Sequence, residues 1–168
     1  MSSDQPNKFS GTVYLAADHA GFEMKERVRP TLESLGFSVM DLGATTLDPT
    51  DDYVSYVRTA ATLVAEDPAT RRAIIFAGSG QGEAIVANRI HGIRAAVYYG
   101  DAHMPQTDVD GKVLDIIESV RAHNDTNVLS LGARFLTDDS ALRAIQKWLA
   151  VPFSGSERHA RRIAEIDE

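Results

Sequence analysis

The run Arg72-Ala-Ile-Ile-Phe-Ala-Gly-Ser-Gly-Gln-Gly-Glu83 sets a serine, three glycines and a carboxylate in six consecutive positions at the end of an apolar stretch. Gly78, Gly80 and Gly82 let a backbone turn sharply and approach a ligand with no β-carbon in the way. Glu83 follows in the first turn of a helix, beside unpaired N–H groups and the positive end of the helix dipole. A carboxylate and a nest of amides, those of Gly80, Gln81 and Gly82, therefore face one small volume. Chemistry is expected at that break in the apolar run. The plainer alternative is a loop that only joins a strand to a helix, with Glu83 as ordinary helix-start charge.

Other chemistries are excluded at this stretch. The glycines do not follow the Gly-x-Gly-x-x-Gly dinucleotide pattern, and no Lys-Ser/Thr follows them as in a nucleotide-triphosphate loop. Ser79 lies between single glycines without the Gly-x-Ser-x-Gly elbow of a hydrolase, so it is expected to donate a hydrogen bond rather than attack a carbonyl. No cofactor is expected. The five histidines have no ligand spacing such as His-x-x-x-His, so no metal is expected either.

Three further clusters stand out. Asp18-His19 falls where a strand meets a helix, and serves equally well as a helix cap or as part of a site. His123-Asn-Asp-Thr-Asn127 ends a helix before a buried strand, a place where a capping turn is an ordinary reading. Arg158-His-Ala-Arg-Arg162 is the one dense cationic patch on an acidic chain. Arg158 and Arg161 or Arg162, three or four residues apart, share a helix face with His159 beside them, which suits a phosphate as well as a solvated basic tail.

These residues need positioning elements, and the hydrophobic pattern supplies them. Thr12–Ala17, Phe37–Leu42, Ala73–Ala77, Arg94–Tyr99 and Val128–Leu131 read as strands. Helices are expected over Phe22–Leu35, Tyr56–Glu66, from the glycine loop to Ile90, over Val113–Ala122, from a cap at Asp138 or Asp139 to Leu149, and over 157–166. Gly43–Tyr53 and Gly100–Gly111 read as loops. Five strands alternating with helices specify an α/β fold with a parallel sheet covered on both faces. Ligands in such sheets bind at the carboxyl ends of the strands, which singles out Asp18, His19, Asp52, Tyr53, Ser79–Glu83 and Arg134.

With 168 residues, 43% of them hydrophobic and 24% charged, the chain reads as a single soluble domain, with residues 1–10 expected to be disordered. The net charge of −7 disfavours nucleic acid and anionic membranes as partners. Without cysteine there is no disulfide framework and no thiolate nucleophile, and a cytoplasmic location is expected. No apolar run is long enough for a membrane span.

Taken together, Ala17-Asp-His-Ala-Gly21, Asp52-Tyr53, Gly78-Ser-Gly-Gln-Gly-Glu83, Ala87-Asn88, His123-Asn124 with Asn127, Leu131-Gly-Ala-Arg134 and Arg158-His-Ala-Arg-Arg162 resemble the type B ribose-5-phosphate isomerases. That family also holds the galactose-6-phosphate and allose-6-phosphate isomerases, and the likeness runs from Val13 to Ile166. It implies a doubly wound, Rossmann-like three-layer sandwich, no metal or cofactor, and a homodimer or dimer of dimers with shared sites. Several members carry a cysteine base at the end of the third strand, where Ala77 stands here. Another branch carries a glutamate after the glycine loop, and this chain is similar to that branch at Glu83.

By the same resemblance Glu83 is the base and Ser79, with the amides of Gly80 to Gly82, holds the enediolate. His123 helps open the sugar ring, Asp18 binds hydroxyls and Asn124 orients the reactive end. Arg134, Arg158 and Arg162 grip the phosphate with His19 or His159 assisting, and Tyr53 joins the substrate-binding set. Val54 stands where proline is frequent, and the connection 100–122 is about a dozen residues longer than usual. That connection is expected to lie over the mouth of a site and influence which sugar fits. The first substrate expected is ribose 5-phosphate, with a hexose 6-phosphate as alternative, or a non-catalytic protein that binds sugar phosphates. A phosphoacceptor regulatory domain is excluded, since its acceptor aspartate would stand at Ala77.

Overall fold

The computed structural model describes residues 9–102, 104 and 106–168. Of the ten amino-terminal residues expected to be disordered, 1–8 lie outside the described residues. Phe9 instead packs against the core and against the Arg72 guanidinium, 4.1 Å from its ring centre.

The main sheet is built from β1 (Thr12–Ala17), β2 (Ser38–Asp41), β3 (Arg71–Ala77), β4 (Ala95–Tyr98) and β7 (Val128–Gly132), all parallel, in the order β2-β1-β3-β7-β4. Two further two-residue strands, β5 (Gln106–Thr107) and β6 (Val113–Leu114), form a separate antiparallel ribbon. The central strands are buried on both faces, as their unbroken apolar runs require. Val13, Leu15, Ile74, Phe76, Leu129 and Leu131 point to one side, where α1 (His19–Ser34), α4 (Ile116–Asn124) and α5 (Asp138–Ala150) cover them. Tyr14, Ala16, Ala73, Ile75 and Val128 point to the other, under α2 (Tyr53–Glu66) and α3 (Gln81–Ala87). This is the doubly wound, three-layer arrangement expected.

Several boundaries differ from the sequence reading, each for a local reason. The first helix begins at His19 rather than Phe22, because the Asp18 carboxylate accepts from the amides of Ala20 and Gly21 and caps it. Gly21 is thus inside the helix, and its lack of a side chain matters for packing: a β-carbon there would lie 2.0 Å from the Phe76 carbonyl oxygen. The second helix begins at Tyr53, capped by Asp52. The cap of α5 is Thr137, in a capping box with Ser140, rather than Asp138 or Asp139. Helix α3 stops at Ala87, not Ile90, and Asn88 then clamps both backbone groups of Ala95. Val113 and Leu114 belong to the ribbon, not to a helix, and α4 starts after Asp115, whose carboxylate accepts from Glu118 in a second capping box. The last helix, α6 (Glu157–Ala164), ends in a 3-10 turn over Glu165–Asp167 that Asp167 ties back to the Gly92 amide.

Ala17 pairs with Phe76, and Ala77 with Gly132. Asp18, Gly78 and Ala133 therefore leave the sheet side by side. The chain winds from β1 outward to β2 and then crosses to β3 on the other side, so the switch in winding direction falls between Asp18 and Gly78. A crevice opens there in this class of sheet.

Candidate active site

At that crevice lies a cleft of about 440 Å³ lined by Asp18, His19, Asp51, Tyr53, Ser79, Glu83 and Arg134, with Gly78 in its floor. Three loops and three helix starts, those of α1, α2 and α3, converge on it, and each is placed by the strand before it. Ala133 donates to the Ala77 carbonyl and Arg134 to that of Gly78, which lays the segment after β7 against the glycine loop. A β-carbon on Gly78 would touch the Arg134 guanidinium at 3.2 Å, so glycine there leaves room for that cation beside the cleft.

The loop itself is tightly set. Gly80 has φ of +75°, the left-handed region that glycine enters without strain, and its carbonyl accepts from the buried Ser130 hydroxyl at 2.8 Å. Ser79 Oγ accepts weakly from the Gln81 amide at 3.4 Å. Within α3, Ala84 donates to the Gly80 carbonyl, while the amides of the first turn remain outside the helical ladder. Glu83 sits in that turn and is only 5% exposed. Burial pushes its carboxyl up from the ordinary range; the carboxyl's own backbone N–H opposes this and the nearby Asp18 carboxylate adds to it.

His19 donates through its backbone N–H and ring Nδ1 to the same oxygen of Asp51, at 2.9 and 2.8 Å. That bond, above all, raises the proton affinity of the imidazole. Asp51 and Ser130 are residues the sequence reading missed. Asp51 stands 32 positions from its partner, and only the folding of the 43–52 loop over α1 brings the two together.

His123, Asn124, Arg158, His159 and Arg162 are not at this cleft. They gather at the far end of the sheet, where α4 ends and α6 begins. The His123 and His159 rings face each other with centres 4.3 Å apart, and Ser154 Oγ lies 3.1 Å from His159 Nδ1. His159 is buried, which lowers its proton affinity; His123, Arg158 and Arg162 lower it further and Asp108 opposes them. Arg158 and Arg162 share one face of α6, and Arg161 pairs with Glu165 instead. His123 precedes the amino end of β7 and Arg134 follows its carboxyl end, and the strand alone carries the chain about 13 Å between them. A single chain therefore holds two separate clusters of these residues, at opposite ends of its sheet. The described residues of the long connection do not line the cleft either: its ribbon lies along α4, where the Ser119 hydroxyl donates to Gln106.

Residues 13–166 match the family described as Ribose/Galactose Isomerase. Ribose-5-phosphate isomerase B of Mycobacterium tuberculosis is 34% identical over 156 residues, which span 93% of this chain and 88% of that protein. Among solved structures, ribose-5-phosphate isomerase B from Mycoplasma genitalium with bound ribulose-5-phosphate superposes with a TM-score of 0.81 at 29% identity, covering 94% of this chain and 95% of that one. The enzyme from Thermotoga maritima gives 0.79 at 32% identity over 94% and 97%. Sequence and fold agree along nearly the whole length, and the chain belongs to the ribose/galactose isomerase family.

Proposed function

We propose that the chain interconverts ribose 5-phosphate and ribulose 5-phosphate, with Glu83 as the group that carries the proton between C2 and C1. The observation that supports Glu83 is its position: a nearly buried carboxylate with raised proton affinity, in the first turn of α3 beside the glycine-loop amides that lie outside the helical ladder. In the forward direction the Glu83 carboxylate takes the C2 proton of the open-chain aldose, and the C2–H electron pair moves toward the C1 carbonyl. The resulting enediolate oxygens are held by the Ser79 hydroxyl and the amides of Gly80 to Gly82. Glu83 returns the proton to C1, and the proton of the C2 hydroxyl passes to O1, so that C2 becomes the ketone and O1 a hydroxyl. Asp18 accepts from sugar hydroxyls, and Tyr53 walls the cleft above Gly82.

His123 serves ring opening, Asn124 orients the reactive end, and Arg158 and Arg162 join Arg134 on the phosphate. Their separation from the cleft within one chain is the reason to assign them to a second copy, in a homodimer whose two sites each draw on both chains. The absence of cysteine supports a cytoplasmic setting. A hexose 6-phosphate is the second reading, favoured by the β5–β6 ribbon that carries Asp108 into the field of His159.

The deciding experiment follows release of C2 deuterium from labelled aldose phosphates into water, across pentose and hexose substrates, for the parent and Glu83→Gln. Loss of exchange by roughly a hundred-fold or more in the variant is expected. Exchange near the parent rate in Glu83→Gln would remove Glu83 as base. A parent that binds sugar phosphates without exchanging hydrogen would be a binding protein.

A further inference from the structure

We propose that Asp51 is the positioning residue of the cleft: it holds the His19 imidazole by Nδ1 and so presents Nε2–H, on a charged ring, to an anionic group of the ligand beside Arg134. Nothing in the catalytic scheme above requires Asp51, and its neighbour Asp52 is taken up in capping α2.

The geometry is specific. One carboxylate oxygen accepts from both the backbone amide and the ring of His19, at 2.9 and 2.8 Å, which fixes the ring relative to its own main chain. The carboxylate is itself held by its loop: the Asp51 amide donates to the Asp48 carbonyl, and the Asp48 side chain gathers the amide and hydroxyl of Thr50. With Nδ1–H engaged, Nε2 is the only ring nitrogen left for a ligand, and the histidine side chain keeps 35% of its surface at the cleft. This is the arrangement by which a carboxylate sets the tautomer and orientation of a functional imidazole.

The charge follows from burial. The Asp51 side chain is 7% exposed, its second oxygen is buried with no hydrogen-bond partner, and His19 is its one cationic partner among the described residues. A neutral His19 would leave that carboxylate buried and uncompensated, which is costly, so Asp51 favours the charged form of His19. The surroundings agree. Asp18 at the end of β1, Asp48 in the 43–52 loop and Glu23 on α1 are the nearby acids, and Glu83 faces across from α3. Arg134 after β7 and Arg27 on α1 are the opposing cations, of which Arg27 is paired with Glu23 and Asp138. The acids prevail at His19.

The inference deepens the proposed function and rests on it only for the anion being a sugar's phosphate. The test therefore uses no sugar. Full-length chain with 15N-labelled histidine is titrated by NMR, with the His19 signal assigned by its loss in His19→Gln, and inorganic phosphate is added as probe. In the parent, His19 should titrate above an ordinary imidazole and keep its Nδ1 proton throughout. In Asp51→Asn the titration should move down, and phosphate affinity should weaken roughly ten-fold at pH 7.5, as for loss of one charge-assisted hydrogen bond. At pH 5.5, where His19 is charged in both proteins, the two affinities should agree. Equal weakening at both pH values would make Asp51 structural only and overturn the proposal. Should Asp51→Asn not fold, the parent decides: a His19 that titrates at or below the ordinary value overturns it. Failure of all sugar phosphates to turn over would sink the isomerase reading while leaving this titration to be judged separately.

Discussion

The hydroxyl oxygen of Tyr53 stands beside Gly82 where a side chain would begin: a β-carbon on residue 82 would lie 2.5 Å from it and 2.9 Å from the ring carbon that bears it. Tyr53 opens α2 and Gly82 lies in the first turn of α3, so this contact sets how closely the two helix starts meet over the cleft. Gly82→Ala should force the tyrosine or the loop amides aside. Because a small misplacement of oxyanion donors costs much of the rate, kcat/KM should fall roughly ten-fold or more while the circular dichroism spectrum keeps its shape. Unaltered kinetics would show that the amides tolerate the shift.

Arg134 and Arg162 are exposed and free of ion pairs among the described residues, as cations awaiting a phosphate should be. Arg134→Ala or Arg162→Ala should each raise KM roughly ten-fold or more, the effect of ~1.4 kcal/mol of lost binding, and lysine should restore little of it. Steady-state assays in which neither KM moves would take the phosphate away from these residues.

The five strands, their parallel sense and the place of Glu83 after the third were legible because they rest on local pattern: apolar runs alternating with helices, the third of them ending in a glycine loop. The ribbon was not. Val113, Leu114, Ile117 and Val120 keep apolar spacing across a boundary, and only the Asp115–Glu118 capping box marks where α4 starts. Nor was the pairing of His19 with Asp51 readable, because an ion pair between distant positions leaves no periodic trace. The split between the cleft and the His123–His159 cluster was implied by the family likeness alone. In the structure it follows from β7 running from one cluster to the other.

That split makes a test of shared sites simple. Glu83→Gln inactivates the cleft half and His123→Ala the other. If a site draws on both chains, a heterodimer of the two variants contains one intact site. Mixing and reassociating the two inactive proteins should return up to about a quarter of parental activity, the statistical share when half the dimers are mixed and each has one good site of two. Mixtures that stay inactive after demonstrated subunit exchange would assign each site to one chain.

The burial that equips Glu83 as a base should also cost the fold stability. Its carboxyl binds a proton more readily when folded than when unfolded, chiefly because the charged form is removed from water. Such a group contributes stability that is fully present below the unfolded value of about 4.5 and is lost as pH rises through the higher folded value. Glu83→Gln, which keeps shape but never ionises, should therefore melt higher than the parent at pH 7.5, and the difference should close as the solution is acidified below that range. The same substitution should abolish exchange at C2, so activity and stability would move in opposite directions. Thermal melts of both proteins from pH 4 to 8 decide the matter. A variant that is less stable than the parent at pH 7.5 would mean that the Glu83 carboxylate is well solvated or paired in the folded protein, and the raised proton affinity assigned to it as a base would have to be given up.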